Sequence, residues 1–354
     1  MTQKIAPPFP PTVVLSRWRR FADADIQPIR SGLINTTFAL SCHDGEKVIL
    51  QRLHPIFAPE VNLDLAAVTE HLADRGMTTP RLLPTDDGAL WVAADDETWR
   101  ALSFVPGIAP NQLSDRSMAR EAGLLVGRFH AALADFNYRY RSQRNNVHDT
   151  AAHLTRLREA LDMHAGHRLF NDVAHPAEAL LKASEPLESF DHLPLRHAHG
   201  DLKISNLMFD EAGRGVCLID LDTLTRMRWP LEMGDALRSW CNPSREDQQA
   251  AQFDLSLFEA AVSGYHHATG ELVTREEWDA LTTGVARICL ELSCRFFADA
   301  LNESYFGWNP ERYPTRGEHN LARGRAMQML YLDVTRNLRA AERLIEKIRR
   351  KPRD

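Results

Sequence analysis

Residues 197–206 read His-Ala-His-Gly-Asp-Leu-Lys-Ile-Ser-Asn and carry the clearest chemical signal in the sequence. A site that transfers a phosphoryl group requires a carboxylate to orient the attacking hydroxyl, and oxygen ligands that hold Mg²⁺ on the nucleotide phosphates. Asp201 is the candidate base, and Lys203 can meet the migrating phosphoryl group. Asn206 offers an amide oxygen to the metal. The spacing Asp-x-Lys-x-x-Asn therefore predicts a phosphoryl-transfer loop; the alternative is a surface loop capped by Asp and Asn.

The residues that follow predict a β-hairpin. Residues 207–209 and 215–219 are apolar, and the Asp-Glu-Ala-Gly-Arg between them favours a turn. Such a hairpin would return the chain so that Asp220 lies beside Asn206 as a second metal ligand. Asp222 could bind a second Mg²⁺ or the acceptor, or it could only hold the loop.

Two strands joined by a turn are predicted near the start of the chain. Residues 32–40 and 47–53 read as strands, and the His-Asp-Gly-Glu between them favours a hairpin turn. In a kinase, backbone N–H groups and small residues of such a hairpin cover the nucleotide phosphates. An ordinary hairpin would give the same pattern. The residues that could make this contact are Gly32, Asn35 and Thr36.

The second of these strands ends in Gln-Arg and has no lysine, although a kinase normally carries a cation there for the α- and β-phosphates. Arg52 is the candidate cation because arginine stays charged and can fork onto phosphate. A solvated charge at the edge of the sheet is the alternative.

Further patterns predict more strands and helices along the chain. Residues 59–75 have helical spacing, while 82–91 and 99–105 read as strands. A long amphipathic helix is expected after them. It carries Gly123 and Gly127, which permit close contact with another helix.

The change from strands to helices predicts two lobes. We expect a β-rich nucleotide-binding lobe at 1–103 and a mainly helical catalytic and substrate-binding lobe at 104–354, with a hinge at about 103–107. Adenine is commonly bound by backbone groups of such a linker. Ser103 and Val105 are therefore candidates for contact with the nucleotide.

Composition limits the class of protein. With 354 residues, 44% of them hydrophobic and 25% charged, the chain is long enough for two lobes with cores. A net charge of −6 gives no support for a nucleic-acid or membrane partner. The five cysteines lack metal-ligand spacing, and no segment resembles a signal peptide or a membrane span. We expect a soluble cytoplasmic protein that acts on a small molecule.

Aromatic and cationic residues gather near the C-terminus, on and beside a loop broken by Gly and Pro. Arg295, Tyr305 and Trp308 suit recognition of a sugar or another polyhydroxyl compound, through stacking and forked hydrogen bonds. The alternative is a loop that its aromatic side chains pin to the core.

The chain resembles the kinase catalytic loop at residues 197–206, with Gly200 where protein kinases carry Arg. The His-Gly-Asp form is similar to that of the aminoglycoside-phosphotransferase-like small-molecule kinases. Within them, the chain resembles the N-acetylhexosamine 1-kinase group. The motifs that carry this resemblance are Gly32-Leu33-Ile34-Asn35-x-Thr37-Phe38, Ile49-Leu50-Gln51-Arg52-Leu53, His199-Gly200-Asp201-x-Lys203-x-x-Asn206, Ile219-Asp220-Leu221-Asp222-Thr223, Gly234-Asp235-x-x-Arg238, Tyr305-Phe306 and His319-Asn320-Leu321-x-Arg323.

The resemblance implies a two-lobed, protein-kinase-like α+β fold, ATP with Mg²⁺, and phosphorylation of the anomeric 1-hydroxyl of N-acetylglucosamine or N-acetylgalactosamine. It implies Asp201 as the base and Asn206 and Asp220 as metal ligands. It also implies that the sugar is bound by Arg295, Tyr305 and Trp308. One alternative is a kinase of the same superfamily that phosphorylates an aminoglycoside, choline, another amino alcohol or homoserine. Another is a nucleotide-binding pseudokinase.

Overall fold

The computed structural model describes residues 9–29, 35–142, 147–244, 246–248 and 250–350. The chain divides into two compact units. The first comprises Met1–Pro106, Asp135–Gln143 and Ile219–Leu224, and the second comprises Gly107–Ala134, Arg144–Leu218 and Thr225–Asp354. The expected boundary after residue 103 did not include the two later segments of the first unit. The nucleotide-binding and catalytic roles of the units stay predictions.

The first unit contains a five-stranded antiparallel sheet in the order β1-β2-β3-β5-β4. Alternation along the strands buries Phe38 and Leu40 together with Val48 and Leu50, and these side chains share a core with Trp99. The strands are β1 Asp25–Ile29, β2 Thr36–Ser41, β3 Lys47–Arg52, β4 Val92–Ala94 and β5 Glu97–Ser103. The α-helices in the described part of this unit are α1 Thr12–Leu15 and α2 Val61–Asp74.

The predicted strand at 82–91 was wrong. In that range the structure has only an isolated bridge, from Leu82 to Leu102, and the strand that pairs with β5 is β4. The turn between β4 and β5 contains Asp95 and Asp96 with φ of 50° and 62°. Both central residues of a type I′ hairpin turn require positive φ, and glycine usually marks such a turn. No glycine stands at these positions, so the usual marker of this turn is absent from the sequence.

The second unit is mainly helical. Within the described residues its helices are α3 Arg116–Ala132, α4 Thr150–Met163, α5 Phe170–Ser184, α6 Trp229–Trp240, α7 Leu255–Thr269, α8 Arg275–Asp279, α9 Leu281–Asn302 and α10 Arg316–Arg350. Two antiparallel pairs accompany them: β6 Leu195–Ala198 with β9 Thr225–Arg228, and β7 Leu207–Phe209 with β8 Gly215–Leu218. Buried residues of α4, α5, α9 and α10 form one apolar core. In the described part of the chain, no helix is both long and apolar enough for a membrane span.

Helices α3 and α7 approach each other closely through glycines. A Cβ atom on Gly123 would lie 2.0 Å from the carbonyl oxygen of Ala261, and one on Gly264 would lie 2.1 Å from that of Arg120. A Cβ on Gly127 would lie 2.7 Å from Ala268. No side chain larger than hydrogen fits at these distances. The predicted close helix contact at Gly123 and Gly127 is confirmed.

Candidate active site

The loop after β6 brings three predicted site residues together. The Nζ atom of Lys203 donates to Oδ2 of Asp201 at 2.5 Å. The Nδ2 atom of Asn206 donates to the same oxygen at 3.1 Å and to the backbone oxygen of Asp201 at 2.8 Å. Gly200 precedes them with φ of 83°, a conformation that favours glycine over the arginine of protein kinases.

Helix α6 fixes this loop through groups that the sequence analysis missed. The buried carboxylate of Glu232 accepts the backbone N–H groups of His199 and Gly200 at 2.7 and 3.1 Å. Farther along α6, Ser239 Oγ accepts the N–H of Ile204 at 3.1 Å. Glu232 and Ser239 are seven residues apart and so share a helix face. That spacing was the signal that could have identified them.

Asp235, three residues after Glu232, is paired within α6. Its Oδ1 atom accepts from Nε and Nη2 of Arg238 at 3.0 and 2.7 Å. Burial opposes ionisation of Asp235, but the charges of Arg238 and His148, and to a lesser extent Lys203, hold its pKa below the ordinary value. Asp235 therefore binds Arg238 inside α6, whereas Glu232 contacts the catalytic loop directly.

The predicted hairpin after the loop is confirmed as β7 and β8, in which Leu207 pairs with Leu218. Asn206 directly precedes the hairpin, and Asp220 follows it. Asp220 has φ of 63° and ψ of 49°, a left-handed conformation that is uncommon for a residue with a side chain. Such backbone strain is concentrated at functional sites. Asp220 belongs to the first unit and Asn206 to the second, and their joint role as metal ligands stays a prediction.

Asp222 forms a buried ion pair inside the first unit. Its Oδ1 and Oδ2 atoms accept from Nη1 and Nη2 of Arg100 at 2.5 and 2.9 Å, and Oδ2 also accepts from Nδ2 of Asn35 at 2.7 Å. Both side chains are at most 2% exposed. Because both carboxylate oxygens are engaged, these contacts support the third alternative for Asp222, which is to hold its own loop. A contact of Asp222 with acceptor or metal stays a prediction.

Arg100 is the second group that the sequence analysis missed. Its Nε and Nη2 atoms donate to Oε1 of Gln51 at 3.0 and 2.7 Å, across the neighbouring strands β3 and β5. Its Nη1 atom lies 3.3 Å from Oδ1 of Asn62 on α2. An arginine inside the otherwise apolar Trp-Arg-Ala-Leu of a strand requires a buried counter-charge, and this was the available signal.

The predicted nucleotide contacts lie in the first unit. Arg52 Nη1 donates to Oε1 of Glu97 at 2.5 Å and Nη2 donates to Oγ1 of Thr36 at 3.1 Å, so the guanidinium is shared by two neighbours. The N–H of Ser103 donates to Arg81, and Val105 lies beyond the end of β5. Gly32 lies outside the described residues. The contacts of these residues with ATP stay predictions.

The predicted acceptor residues lie around Phe306 in the second unit. The guanidinium of Arg295 is 5.4 Å from the centroid of the Phe306 ring, and the ring of the exposed Tyr305 meets it edge-on at 4.8 Å. Trp308 is half-buried on the same loop. The nearest carboxylate oxygen to Arg295, on Glu291, is 3.9 Å away. Within the described part of the chain, the guanidinium of Arg295 therefore donates no hydrogen bond.

Glu291 itself is fully buried and holds the segment before α4. Its Oε1 atom is 3.0 Å from Nδ1 of His148, and its Oε2 atom accepts from Oγ1 of Thr150 at 2.8 Å. Burial opposes protonation of His148, but Glu291 raises its pKa. Burial lowers the pKa of the neighbouring His153 to about 4. Glu291 is thus engaged by His148, which explains why it does not bind Arg295 closely.

Comparison with known proteins gives the family. A model described as the phosphotransferase enzyme family (APH) matches residues 25–268. A homoserine kinase from Cupriavidus taiwanensis is 26% identical over 255 residues, which cover 68% of this chain and 71% of that protein. The solved structure of a microcompartment-associated aminopropanol kinase has a TM-score of 0.61 at 15% identity, covering 94% of this chain and 97% of that one. An amicoumacin kinase in complex with AMP-PNP, Ca²⁺ and Ami has a TM-score of 0.61 at 13% identity, covering 86% and 87%.

The two structural matches show the fold, and with the antiparallel sheet and the helical second unit they confirm the predicted protein-kinase-like α+β class. The family match extends from β1 into α7 and includes the whole catalytic loop. The N-acetylhexosamine acceptor implied by the motifs stays a prediction. The chain belongs to the phosphotransferase enzyme family, and it is an ATP-dependent phosphotransferase.

Proposed function

We propose that this phosphotransferase phosphorylates a hydroxyl group of a small acceptor that carries a carboxylate, with a hydroxy-amino acid such as homoserine as the first candidate. The observation that carries the proposal is Arg295, a partly buried cation that donates no hydrogen bond within the described residues. A guanidinium presents a planar fork of donors that matches a carboxylate. The similarity to a homoserine kinase supports the same acceptor class.

In the proposed reaction, the acceptor hydroxyl donates a hydrogen bond to Asp201 and attacks the γ-phosphorus of ATP. The bond to ADP breaks, and the hydroxyl proton passes to Asp201. Because the transition state of phosphoryl transfer is loose, Asp201 acts mainly by orientation. Lys203, which is 2.5 Å from Asp201 in the structure, offsets charge on the transferred group.

Asn206 and Asp220 are proposed to hold Mg²⁺. An amide oxygen and a carboxylate are hard donors, which Mg²⁺ prefers. The amide nitrogen of Asn206 is bonded to Asp201, so its oxygen is the atom that a cation would use. When bound, Mg²⁺ would offset the negative charge of the phosphates.

Arg52 and Thr36 are proposed to face the phosphates, together with Gly32 and Asn35, and Val105 to face the adenine. Arg52 would have to exchange Glu97 for phosphate, since these two side chains are paired at 2.5 Å. The N–H of Ser103 already donates to the carbonyl oxygen of Arg81, so Val105 is the better candidate for a backbone contact with adenine.

An N-acetylhexosamine is the second candidate acceptor. The aromatic loop favours it, because exposed Tyr305 and half-buried Trp308 offer faces on which a sugar ring can stack. The motif resemblance supports phosphorylation of the anomeric hydroxyl in that case.

The test measures ADP release from ATP and Mg²⁺ with homoserine, 1-amino-2-propanol, choline, N-acetylglucosamine, N-acetylgalactosamine, glucose and kanamycin. Asp201→Asn should lower the rate by at least about 100-fold. The exposed Asp279→Asn, which makes the same chemical change in α8, should leave it unchanged. Turnover of N-acetylhexosamines alone would transfer the proposal to the second candidate. Retention of full activity by Asp201→Asn would refute the role of the base.

Arg295 can be tested with a matched pair of acceptors. Homoserine and 3-amino-1-propanol both carry a primary hydroxyl and an amino group, but only homoserine has a carboxylate. If Arg295 binds that carboxylate, Arg295→Gln should raise the KM for homoserine about tenfold or more and leave that for 3-amino-1-propanol unchanged. An equal change for both acceptors would contradict the carboxylate contact.

A further inference from the structure

Asp299 is a carboxylate in an unfavourable place. It is 4% exposed and lies in the last turn of α9, where the helix dipole presents its negative end. Among the residues that the structure describes, no Lys, Arg or His forms an ion pair with it. Burial of such a charge costs several kcal/mol unless hydrogen-bond donors surround it.

The donors that surround Asp299 come from residues 304–306 and from the side chain of Asn320. Oδ1 accepts the N–H groups of Ser304 and Tyr305 at 3.0 and 2.8 Å, and the hydroxyl of Ser304 at 3.3 Å. Oδ2 accepts the N–H of Phe306 at 2.8 Å and Nδ2 of Asn320 at 2.9 Å. Three consecutive amides thus converge on one carboxylate, as they do around an anion bound in a backbone nest.

The same stretch carries Tyr305, which is proposed to bind the acceptor, and Phe306, which contacts Arg295. Phe306 lies against the guanidinium of Arg295 at 5.4 Å and against Phe296 at 4.6 Å, and Tyr305 adjoins it. The hydrogen bonds from these backbone amides to the Asp299 carboxylate therefore fix the position of the Phe306 ring, which Arg295 contacts.

The C-terminal motif holds the loop at further points. Arg323 Nη1 donates to the carbonyl oxygen of Gly307 at 2.8 Å, and Nδ1 of His319 accepts the N–H of Asn309 at 3.2 Å. Asn320 lies between these two residues in the chain. It supports the loop indirectly, because it donates to Asp299, which accepts the amides of the loop. Three residues of the motif His-Asn-Leu-x-Arg thus help to order residues 304–309.

From these contacts we infer that Asp299 is a positioning residue for acceptor binding: together with Asn320 and Arg323, it preorganises the loop that presents Tyr305 and Phe306 beside Arg295. The inference rests on the proposed function, since it concerns the acceptor side of that reaction. A loop ordered in advance does not lose conformational entropy when the acceptor binds. A neutral amide could not accept five hydrogen bonds on two oxygens, which accounts for a carboxylate at this position.

The experiment compares Asp299→Asn with Asp279→Asn, the same change at an exposed position. With the best acceptor of the wild-type enzyme, Asp299→Asn should raise the acceptor KM about tenfold or more, since small misplacements of binding groups cost up to about 100-fold. The KM for ATP and kcat should stay within about twofold of the wild type. Hydrogen exchange of the Tyr305 and Phe306 amides should accelerate.

Arg323→Gln gives an independent test if Asp299→Asn folds poorly, because it removes the bond to Gly307 from the other side of the loop. Its control is Arg325→Gln, two residues farther on α10, where the guanidinium pairs with the exposed Asp172. Arg323→Gln should shift the same acceptor KM, whereas Arg325→Gln should not. The inference is overturned if the acceptor KM is unchanged, or if the KM for the acceptor and the KM for ATP change equally. A wild-type enzyme that phosphorylates no acceptor overturns the proposed function instead.

Discussion

The buried pair of Arg100 and Asp222 predicts a large loss of stability when its cation alone is removed. The two side chains are 2% and 1% exposed. In Arg100→Met the Asp222 carboxylate stays buried and, among the described residues, keeps the hydrogen bond from Asn35, while Oε1 of Gln51 loses its two donors from Arg100. Removing one partner of a buried ion pair costs about 3–5 kcal/mol. We expect the free energy of unfolding to fall by that amount.

The control is Arg52→Met, on the neighbouring strand. Arg52 pairs with Glu97 at 2.5 Å, but its side chain is 27% exposed and that of Glu97 is 34% exposed. A pair this accessible to solvent contributes about 0–1 kcal/mol. The second comparison is the double variant Arg100→Met with Asp222→Leu, which removes both charges and should recover at least half of the loss.

Urea unfolding followed by circular dichroism measures these differences, with the slope compared between variants. Equal losses for Arg100→Met and Arg52→Met would refute the assignment of a buried charge pair. So would a double variant that is less stable than Arg100→Met, because the unpaired carboxylate would then not be the source of the cost.

Three further changes have definite expected results. Glu232→Gln should lower kcat at least tenfold with a smaller change in the KM for ATP, since a neutral amide holds the catalytic loop less firmly; steady-state kinetics measures this. Gly264→Ala should lower the unfolding free energy by more than about 2 kcal/mol in urea, because its Cβ would meet a carbonyl oxygen of α3 at 2.1 Å, whereas Gly307→Ala has open space. Burial, reinforced by Arg323, lowers the pKa of His319 from 6.5 to about 4. The unfolded chain therefore takes up this proton first, and the stability due to neutral His319 is full above pH 6.5 and lost as the pH falls towards 4. From pH 7 to pH 5, the wild type should lose about 2 kcal/mol more than His319→Gln, measured by urea unfolding at both values; equal losses would contradict the lowered pKa.

The sequence predicted features that depend on neighbouring residues. The catalytic loop, the hairpin of β7 and β8 and the glycine contact of α3 follow from spacing and turn chemistry within short stretches, and all three are present. The strand β4 was missed because two aspartates, rather than glycine, adopt positive φ in its turn.

Features that depend on distant residues could not be predicted. Arg100 and Asp222 are 122 positions apart, and no local pattern around either residue identifies its partner. Glu232 and Asp235 are three residues apart on α6, and only the three-dimensional contacts distinguish a support of the catalytic loop from a partner of Arg238. Asp299 carried no signal, since three of its donors are backbone amides, which every sequence possesses, and Asn320 is 21 positions away.

The division of the chain bears on how such an enzyme can evolve. The first unit takes in Ile219–Leu224, and with it Asp222, the counter-ion of Arg100. A gene fragment that ends at Pro106 would encode a sheet with an unneutralised guanidinium in its interior. Recombination at that single point would therefore transfer the sheet at a cost of about 3–5 kcal/mol in stability. Because of Arg100, the sheet keeps its full stability only together with the short segment Ile219–Leu224, which also carries Asp220, the candidate metal ligand.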